Sequence, residues 1–480
     1  MKSIWTDTVN IPEREALKGN KKADVAVIGA GMAGILIAYY LQKQGKRVIV
    51  LEADRIAGGQ TKNTTAKITS QHGLFYSKLA DTFGERFAGA YARANQEAIE
   101  QFARLVEEEE MDCHFERVNS YLYATKDKSE LMREYETARK LKIPVHFREK
   151  LPLPFQTKGA VCFENQAQFH PLEFIKHISE KLIIFERTKV VNVKGNYVNT
   201  EHGSVYANQI VFATHYPFLR SPGFYFFREH QERSYVIAIQ GVEKWEGMYY
   251  GTAPGDLSFR WYEDILLVGG GGHRTGEAKG VCGYTALEAQ ICSLFGTYKE
   301  VARWSAQDCM PHDDLYFIGR YSLYLPHWYI ASGFKKWGMT GAMVSAQMIT
   351  DLICGKENPY TNIFAPKRLH FRASKQKLGH DLCVSACKVG RGYFHWPITK
   401  TQYPEKGKAC VIRRGLKRLG VYRDEKGTLH AVSVKCPHLG CELSWNPEEK
   451  TWDCPCHGSR FHYDGKLIDG PAQKEIGVTR

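Results

Sequence analysis

The spacing of apolar positions changes along the chain, and each change marks an element. Asp24–Ile28 is a short β-branched run and predicts a buried strand. Gly29-Ala-Gly31-Met-Ala-Gly34 follows. Ile35, Leu36, Ala38, Tyr39 and Leu41 then repeat at helical spacing, and Gly45 closes that helix. Arg47–Leu51 reads as a second strand, ending at Glu52. Residues 79–142 are amphipathic, poor in Gly and Pro, and predict helices. Residues 218–305 alternate instead, with strands at Ser234–Gln240, Ser258–Tyr262 and Ile265–Val268. Residues 359–384 are rich in Pro and Lys, weakly periodic, and read as a linker. Short strands separated by turns follow at Gly392–Pro397, Ala409–Arg413, Gly420–Arg423 and Thr428–Val434, a small antiparallel β domain.

Composition adds limits. At 480 residues, with 43% hydrophobic and 24% charged positions, the chain is globular and long enough for several domains. It has no apolar run long enough to span a bilayer, no apolar leader after Met1 and no lipidation motif at either end. The expectation is a cytoplasmic protein without a membrane span, peripheral contact with a membrane being left open. The net charge of +13 is uneven: residues 361–480 carry 22 Lys and Arg against 11 Asp and Glu. Such a basic field suits an acidic protein or an anionic surface. Nucleic acid is not expected, because no basic helix with interleaved aromatics accompanies the charge. Of 13 cysteines, Cys436, Cys441, Cys454 and Cys456 crowd together among histidines. The others are scattered and read as buried thiols, Cys309 included.

The glycine turn between Ile28 and Ile35 is informative because of its context. It lies between a strand and a helix, and an acidic residue ends the next strand at the spacing of a dinucleotide site. Gly29 allows the tight turn, Gly31 admits a pyrophosphate to the helix N-terminus, and Gly34 lets helix and strand close up. Glu52 suits a ribose with free hydroxyls. NAD and FAD remain equal readings of the motif itself. A second glycine cluster, Leu266–Gly276, has the wrong spacing and reads as a Gly-rich strand end.

The next residues, Ala57-Gly58-Gly59-Gln60-Thr61 through Thr64-Thr65-Ala66-Lys67 to His72-Gly73, form a small, hydroxyl-rich loop. This loop resembles that of the flavoenzymes related to D-amino-acid oxidase, glycine oxidase and sarcosine oxidase. Ile210–His215 resembles the family's strand beside the cofactor, and Tyr329–Thr340 its C-terminal flavin motif. The resemblance implies FAD. It places Gly29, Gly31, Met32, Ala33, Gly34, Glu52, Gly59, Gln60, Thr61, Thr65 and Ala66 at the cofactor. It adds Val190, Ala213, Thr214, Gly333, Trp337, Gly338, Met339 and Thr340. It also implies FAD-binding segments at 22–78, 145–217 and 306–358, and substrate-domain segments at 79–144 and 218–305. Catalytic candidates are Lys67, a cation beside the flavin, His72, a proton relay, and Arg260, a clamp for a substrate carboxylate.

In the C-terminal domain, Cys436-Pro-His438-x-x-Cys441 and Cys454-Pro-Cys456-His457-Gly-Ser459 each offer a Cys and a His. Zinc is the first alternative, but each loop holds an additional Cys and no helical His pair exists. The pattern resembles the Rieske iron–sulfur proteins. That resemblance implies a [2Fe–2S] cluster with Cys436 and Cys454 on one iron and His438 and His457 on the other. It implies a Cys441–Cys456 disulfide, a shielding loop at Gly470-Pro471-Ala472, and a hydroxyl, Ser459, toward a bridging sulfide. Phe461 stands where high-potential members have Tyr, so an intermediate potential is expected, within roughly −150 to +300 mV.

The expected fold class is therefore α/β: a Rossmann-like FAD-binding domain interleaved with an α+β substrate domain over 1–358, and a small all-β Rieske domain over 385–480. The expected function is an FAD-dependent dehydrogenase that oxidises an amine or amino-acid C–N bond. Electrons would leave singly through the cluster to an acidic electron-transfer protein or a quinone-type acceptor. The alternatives are reverse flow from a ferredoxin or reductase, and a non-catalytic carrier or redox sensor.

Overall fold

The computed structural model describes residues 2–277, 283–368, 370, 374, 377, 379, 402–414 and 417–477. The expected strand Gly392–Pro397 and the proposed start of the Rieske domain at 385 lie outside them.

The first sheet is built around parallel strands. Gly19–Ile28 lies between Val48–Leu51 and Gly203–Phe212, all three parallel, with Val27 level with Val50 and Val211. Leu325–Ser332 extends the sheet beyond Gly203–Phe212. Both faces are covered, which is why the strands read as continuous apolar runs. Val25 and Val27 face one core, with the helices Met32–Lys43 and Gly338–Ile353. Ala26 and Ile28 face a second core with Phe212, Tyr225 and Trp328.

The second sheet has nine strands. Glu229–Gln240 pairs with Ile265–Arg274 on one side and Lys299–Pro311 on the other. The Gly-rich segment continues as strand to Arg274. Two differences from the sequence reading stand out. Residues 79–142 include a strand, Glu116–Ala124, between the helices Glu85–Glu108 and Ser129–Lys140. Val145–Arg148 and Gly159–Gln168, expected in an FAD-binding segment, belong to this second sheet. Pairing partners far away in sequence decide this, and periodicity does not report them.

The described residues at the start of the expected linker 359–384 pack on the first domain. Arg368 is buried, with Nε and Nη2 donating to the Asp313 carboxylate at 2.7 and 3.1 Å. That charge-assisted fork ties the segment to the first domain.

The described residues of the C-terminal domain form two small antiparallel sheets. One comprises Ala409–Arg414, Lys417–Arg423 and Leu429–Ser433; the other comprises Ser444–Asn446, Thr451–Asp453, Arg460–His462 and Leu467–Asp469. The cysteine- and histidine-bearing loops are the connections at 434–443 and 454–459. No helix among the described residues is long and apolar enough to cross a membrane.

Candidate functional site

A cavity of about 430 Å³ opens at the C-terminal ends of the three parallel strands. Its wall is the glycine turn. Gly29 has φ 106°, and a Cβ there would sit 2.5 Å from the Ala213 carbonyl oxygen. A Cβ on Gly34 would run into the Gly29 carbonyl, so that glycine serves helix–strand packing. At Gly31 a Cβ would project beside the Thr61 hydroxyl, which accepts the Met32 N–H at 3.0 Å. Glu52 accepts the Ala30 and Asp54 N–H groups at 2.7 and 3.0 Å, and burial pushes its pKa up. A carboxylate held this way keeps lone pairs for a ribose hydroxyl. The turn and Glu52 therefore fit a dinucleotide with a free 2′-hydroxyl.

Of the expected cofactor residues, Gly29, Gly31, Met32, Ala33, Glu52, Gly59, Gln60, Thr61, Val190, Ala213, Thr214, Gly338 and Met339 line the cavity. Gly34, Thr65, Ala66, Gly333, Trp337 and Thr340 do not. Trp337 instead stacks on His72 at 4.7 Å. Lys335 and Lys336, which precede the helix Gly338–Ile353, line the cavity without having been singled out. Burial opposes the charge of Lys336, but Asp308 at 3.0 Å and Glu232 at 3.6 Å hold its pKa above the ordinary value. A cation before a helix N-terminus is visible in the sequence; its carboxylate partners come from another sheet.

The three catalytic candidates are held elsewhere. Lys67 donates to the Tyr249 carbonyl and the Ser258 hydroxyl on the second sheet, and burial, with Arg260 nearby, pushes its pKa down to about 7. It does not line the cavity. His72 is buried between the Tyr91 hydroxyl at 2.9 Å and the Thr69 carbonyl at 2.8 Å, which places the proton on Nε2. Burial pushes its pKa down to about 3, so it is neutral at ordinary pH. Arg260 donates to Gln168 Oε1 and to the carbonyls of Thr65 and Phe169, with Trp5 over its guanidinium. Each of its three nitrogens donates at least one hydrogen bond inside the protein. Lys67 and Arg260 lie on strands of the second sheet and His72 beside it, and none of the three lines this cavity; their catalytic roles stay what the resemblance implies. The resemblance puts Lys67 and His72 in the loop along the flavin and Arg260 on a sheet over it, but it does not give the directions of their side chains.

The second constellation is dense. Cys436, Cys454, His438 and His457 are all buried. The two thiols lie within hydrogen-bonding reach of each other, and Ser459 reaches Cys436. The imidazoles are 4.8 Å apart and nearly perpendicular. His438 Nδ1 is buried without a hydrogen-bond partner, as expected of a nitrogen reserved for a metal. Cys441, Cys454 and Cys456 bring their sulfurs within 4.8 Å of one another, but Cys441 and Cys456 are joined as a disulfide. That leaves two thiols and two imidazoles, a donor set that fits a Cys₂His₂ iron pair. The third loop closes on them: Ala472 N–H donates to the Ser459 hydroxyl at 3.0 Å.

These loops are pressed against the first domain. Arg220 donates to the His438 carbonyl, and the Phe226 ring meets both imidazoles edge-on, at 5.9 and 5.7 Å. Gln231 Nε2 donates to the His457 carbonyl at 2.8 Å, and Gln307 Nε2 to the Gly458 carbonyl at 2.8 Å. Arg233 forms a fork with Glu449, and burial against this pairing leaves the Glu449 pKa at about 2. Residues Leu467, Ile468 and Gly470–Gln473 of the C-terminal domain line the dinucleotide cavity itself. Sequence reasoning missed this junction, because Gln231, Arg233 and Gln307 carry no local signature.

Residues 24–352 match the family model described as FAD dependent oxidoreductase, and residues 395–480 the Rieske [2Fe-2S] domain. The chain is 36% identical over 493 residues to YhfW of Bacillus subtilis (strain 168), named as a Rieske 2Fe-2S iron-sulfur protein. The match covers 99% of this chain and 96% of that one. Glycine oxidase from Geobacillus kaustophilus shares the fold with a TM-score of 0.63 at 17% identity, over 73% of this chain and 99% of the other. L-proline dehydrogenase from P. horikoshii does so with a TM-score of 0.61 at 18% identity, over 73% and 98%.

Proposed function

This chain belongs to the FAD dependent oxidoreductase family and ends in a Rieske [2Fe-2S] domain, and we propose that it is a dehydrogenase for an amine or amino-acid C–N bond. Its cofactors are FAD and one [2Fe–2S] cluster. FAD supplies acceptance of a hydride equivalent, and the cluster supplies one-electron transfer. The electrons leave singly to an external acceptor, an acidic carrier or a quinone-type molecule, in a cytoplasmic setting.

The observation that carries this reading is the shared wall: loops of the cluster domain line the cavity of the glycine turn. A cluster placed there is an exit for electrons, which favours a dehydrogenase over an oxidase that makes peroxide. The substrate class is supported by the names of the two fold neighbours, which act on amino acids.

In this reading the residues divide the work. Glu52 holds a ribose hydroxyl, and Gly31 leaves the helix N-terminus open to the pyrophosphate. Cys436, Cys454, His438 and His457 hold the irons, and Ser459 and the Gly470–Ala472 loop shield them. Lys335 and Lys336 put positive charge before the helix Gly338–Ile353, where an anionic reduced cofactor edge is stabilised.

The test is an anaerobic screen of amino acids and amines against the holoprotein. Bleaching of the flavin followed by a Rieske-type spin resonance signal is expected. Bleaching by a reduced ferredoxin and by no amine reverses the direction of flow, and an inert flavin removes the enzyme reading.

A further inference from the structure

We propose that Gln231 is the positioning residue that fixes the His457 loop against the flavin cavity. One electron at a time then crosses within the docked chain, without release of the Rieske domain. This rests on the proposed flow of electrons from FAD to the cluster and identifies the contact that carries it.

Gln231 sits on the strand Glu229–Gln240 of the second sheet and is buried. Its amide is fully used. Nε2 donates to the His457 carbonyl at 2.8 Å and to the Gly470 carbonyl at 3.3 Å, two different loops around the cluster. Oε1 accepts from Gln307 Nε2. His215 is also within hydrogen-bonding reach of Gln231. His215 and Gln307 both line the cavity, and the Gln307 backbone N–H donates to Gln60 Oε1 on the glycine-turn side at 2.7 Å. A short chain of side chains therefore runs from the cavity, through one amide, to the backbone of a cluster ligand.

The backbone approach is equally specific. Gly458, next to His457, has φ 78°, and a Cβ there would lie 2.7 Å from Gln231 Cβ. The loop comes this close only because position 458 has no side chain. Phe226 and Arg220 cover the histidine edge from the other side. The edge through which a Rieske cluster would meet a separate donor is thus occupied by the chain's own first domain. An electron from the cavity has a direct, packed route, and its rate depends on how closely Gln231 holds the two parts.

The electron count closes. A hydride equivalent would carry two electrons and one proton to the flavin, the second proton of the C–N oxidation leaving to solvent. The cluster would take the electrons one at a time, an external one-electron acceptor reoxidising it between them, and the flavin would release its proton to solvent as it is reoxidised.

The experiment uses the holoprotein and needs no substrate. A flash-generated deazaflavin radical delivers an electron to the flavin, and its arrival on the cluster is followed optically. Gln231→Leu keeps the volume and removes both donations. The expected result is interdomain transfer slowed severalfold, because electron tunnelling falls off exponentially with the distance by which the loop moves away. FAD content, iron content and the g-values of the reduced cluster should match the parent. Amide exchange should rise at 454–459 and 467–473. Gln231→Glu, which sets a carboxylate against two carbonyls, should slow transfer at least as much. Unchanged transfer in both variants, with fast transfer in the parent, overturns the role of Gln231 and leaves the proposed function standing. Absence of transfer in the parent overturns the flow itself, and the inference with it.

Discussion

At the scale of single residues, the glycine turn shows how differently three identical side chains are used. Gly29 and Gly34 are required by the fold, since a Cβ on either meets backbone. Gly31 meets only a hydroxyl, so its lack of a side chain serves the cavity. Gly31→Val should therefore give a folded protein lacking FAD, with its iron retained, as measured by flavin release and iron content. A variant with full FAD would show the motif to be misassigned. The residue scale is also where a sequence says least about direction, as Lys67, His72 and Arg260 show. All three spend their hydrogen bonds on carbonyls and hydroxyls of their own domain.

At the scale of elements, one strand carries two of the contacts at the junction between domains. Glu229–Gln240 carries Gln231 toward the cluster loops and, two positions on along the same face, Arg233 toward Glu449. Arg233 and Glu449 are both buried or nearly so, and Arg460 is a second partner of the carboxylate at 3.0 Å. Losing one partner of a buried pair costs about 3–5 kcal/mol. Arg460 remains in Arg233→Leu, so the low end of that range is expected from denaturant unfolding of the cluster domain. The pH dependence has a definite sign. The Glu449 pKa falls from 4.5 to about 2 on folding. Its contribution is present above 4.5 and is lost as pH drops toward 2. Glu449→Gln should flatten that acid limb. An acid-unfolding curve identical to the parent's would remove the pair as the acid-sensitive lock.

At the scale of the whole molecule, charge and connectivity have separate roles. The last 120 residues hold most of the net positive charge, and they form the part through which electrons are proposed to leave. With an acidic one-electron carrier as acceptor, the second-order rate should fall steeply as salt approaches 0.1 M, where the screening length is about 10 Å. A flat salt profile would point to a neutral acceptor of the quinone type. The dinucleotide site, the paired Cys and His loops and the fold class were legible in the sequence because both motifs are local, and the family resemblances turned them into FAD and a [2Fe–2S] cluster. A strand, a glycine turn and a helix within about thirty residues define one site, and two short loops with paired Cys and His define the other. Ala409–Arg414 and Leu429–Ser433 were likewise foreseen within a residue or two. Tertiary structure alone decided which sheet receives 145–168, where Lys67, His72 and Arg260 point, and that the cluster loops close the flavin cavity. Each of these depends on partners far apart in the chain: 226 residues separate Gln231 from His457, and 409 separate Gln60 from Asp469. Periodicity reports a residue's own element and the face it turns inward. It carries no record of what that face will meet.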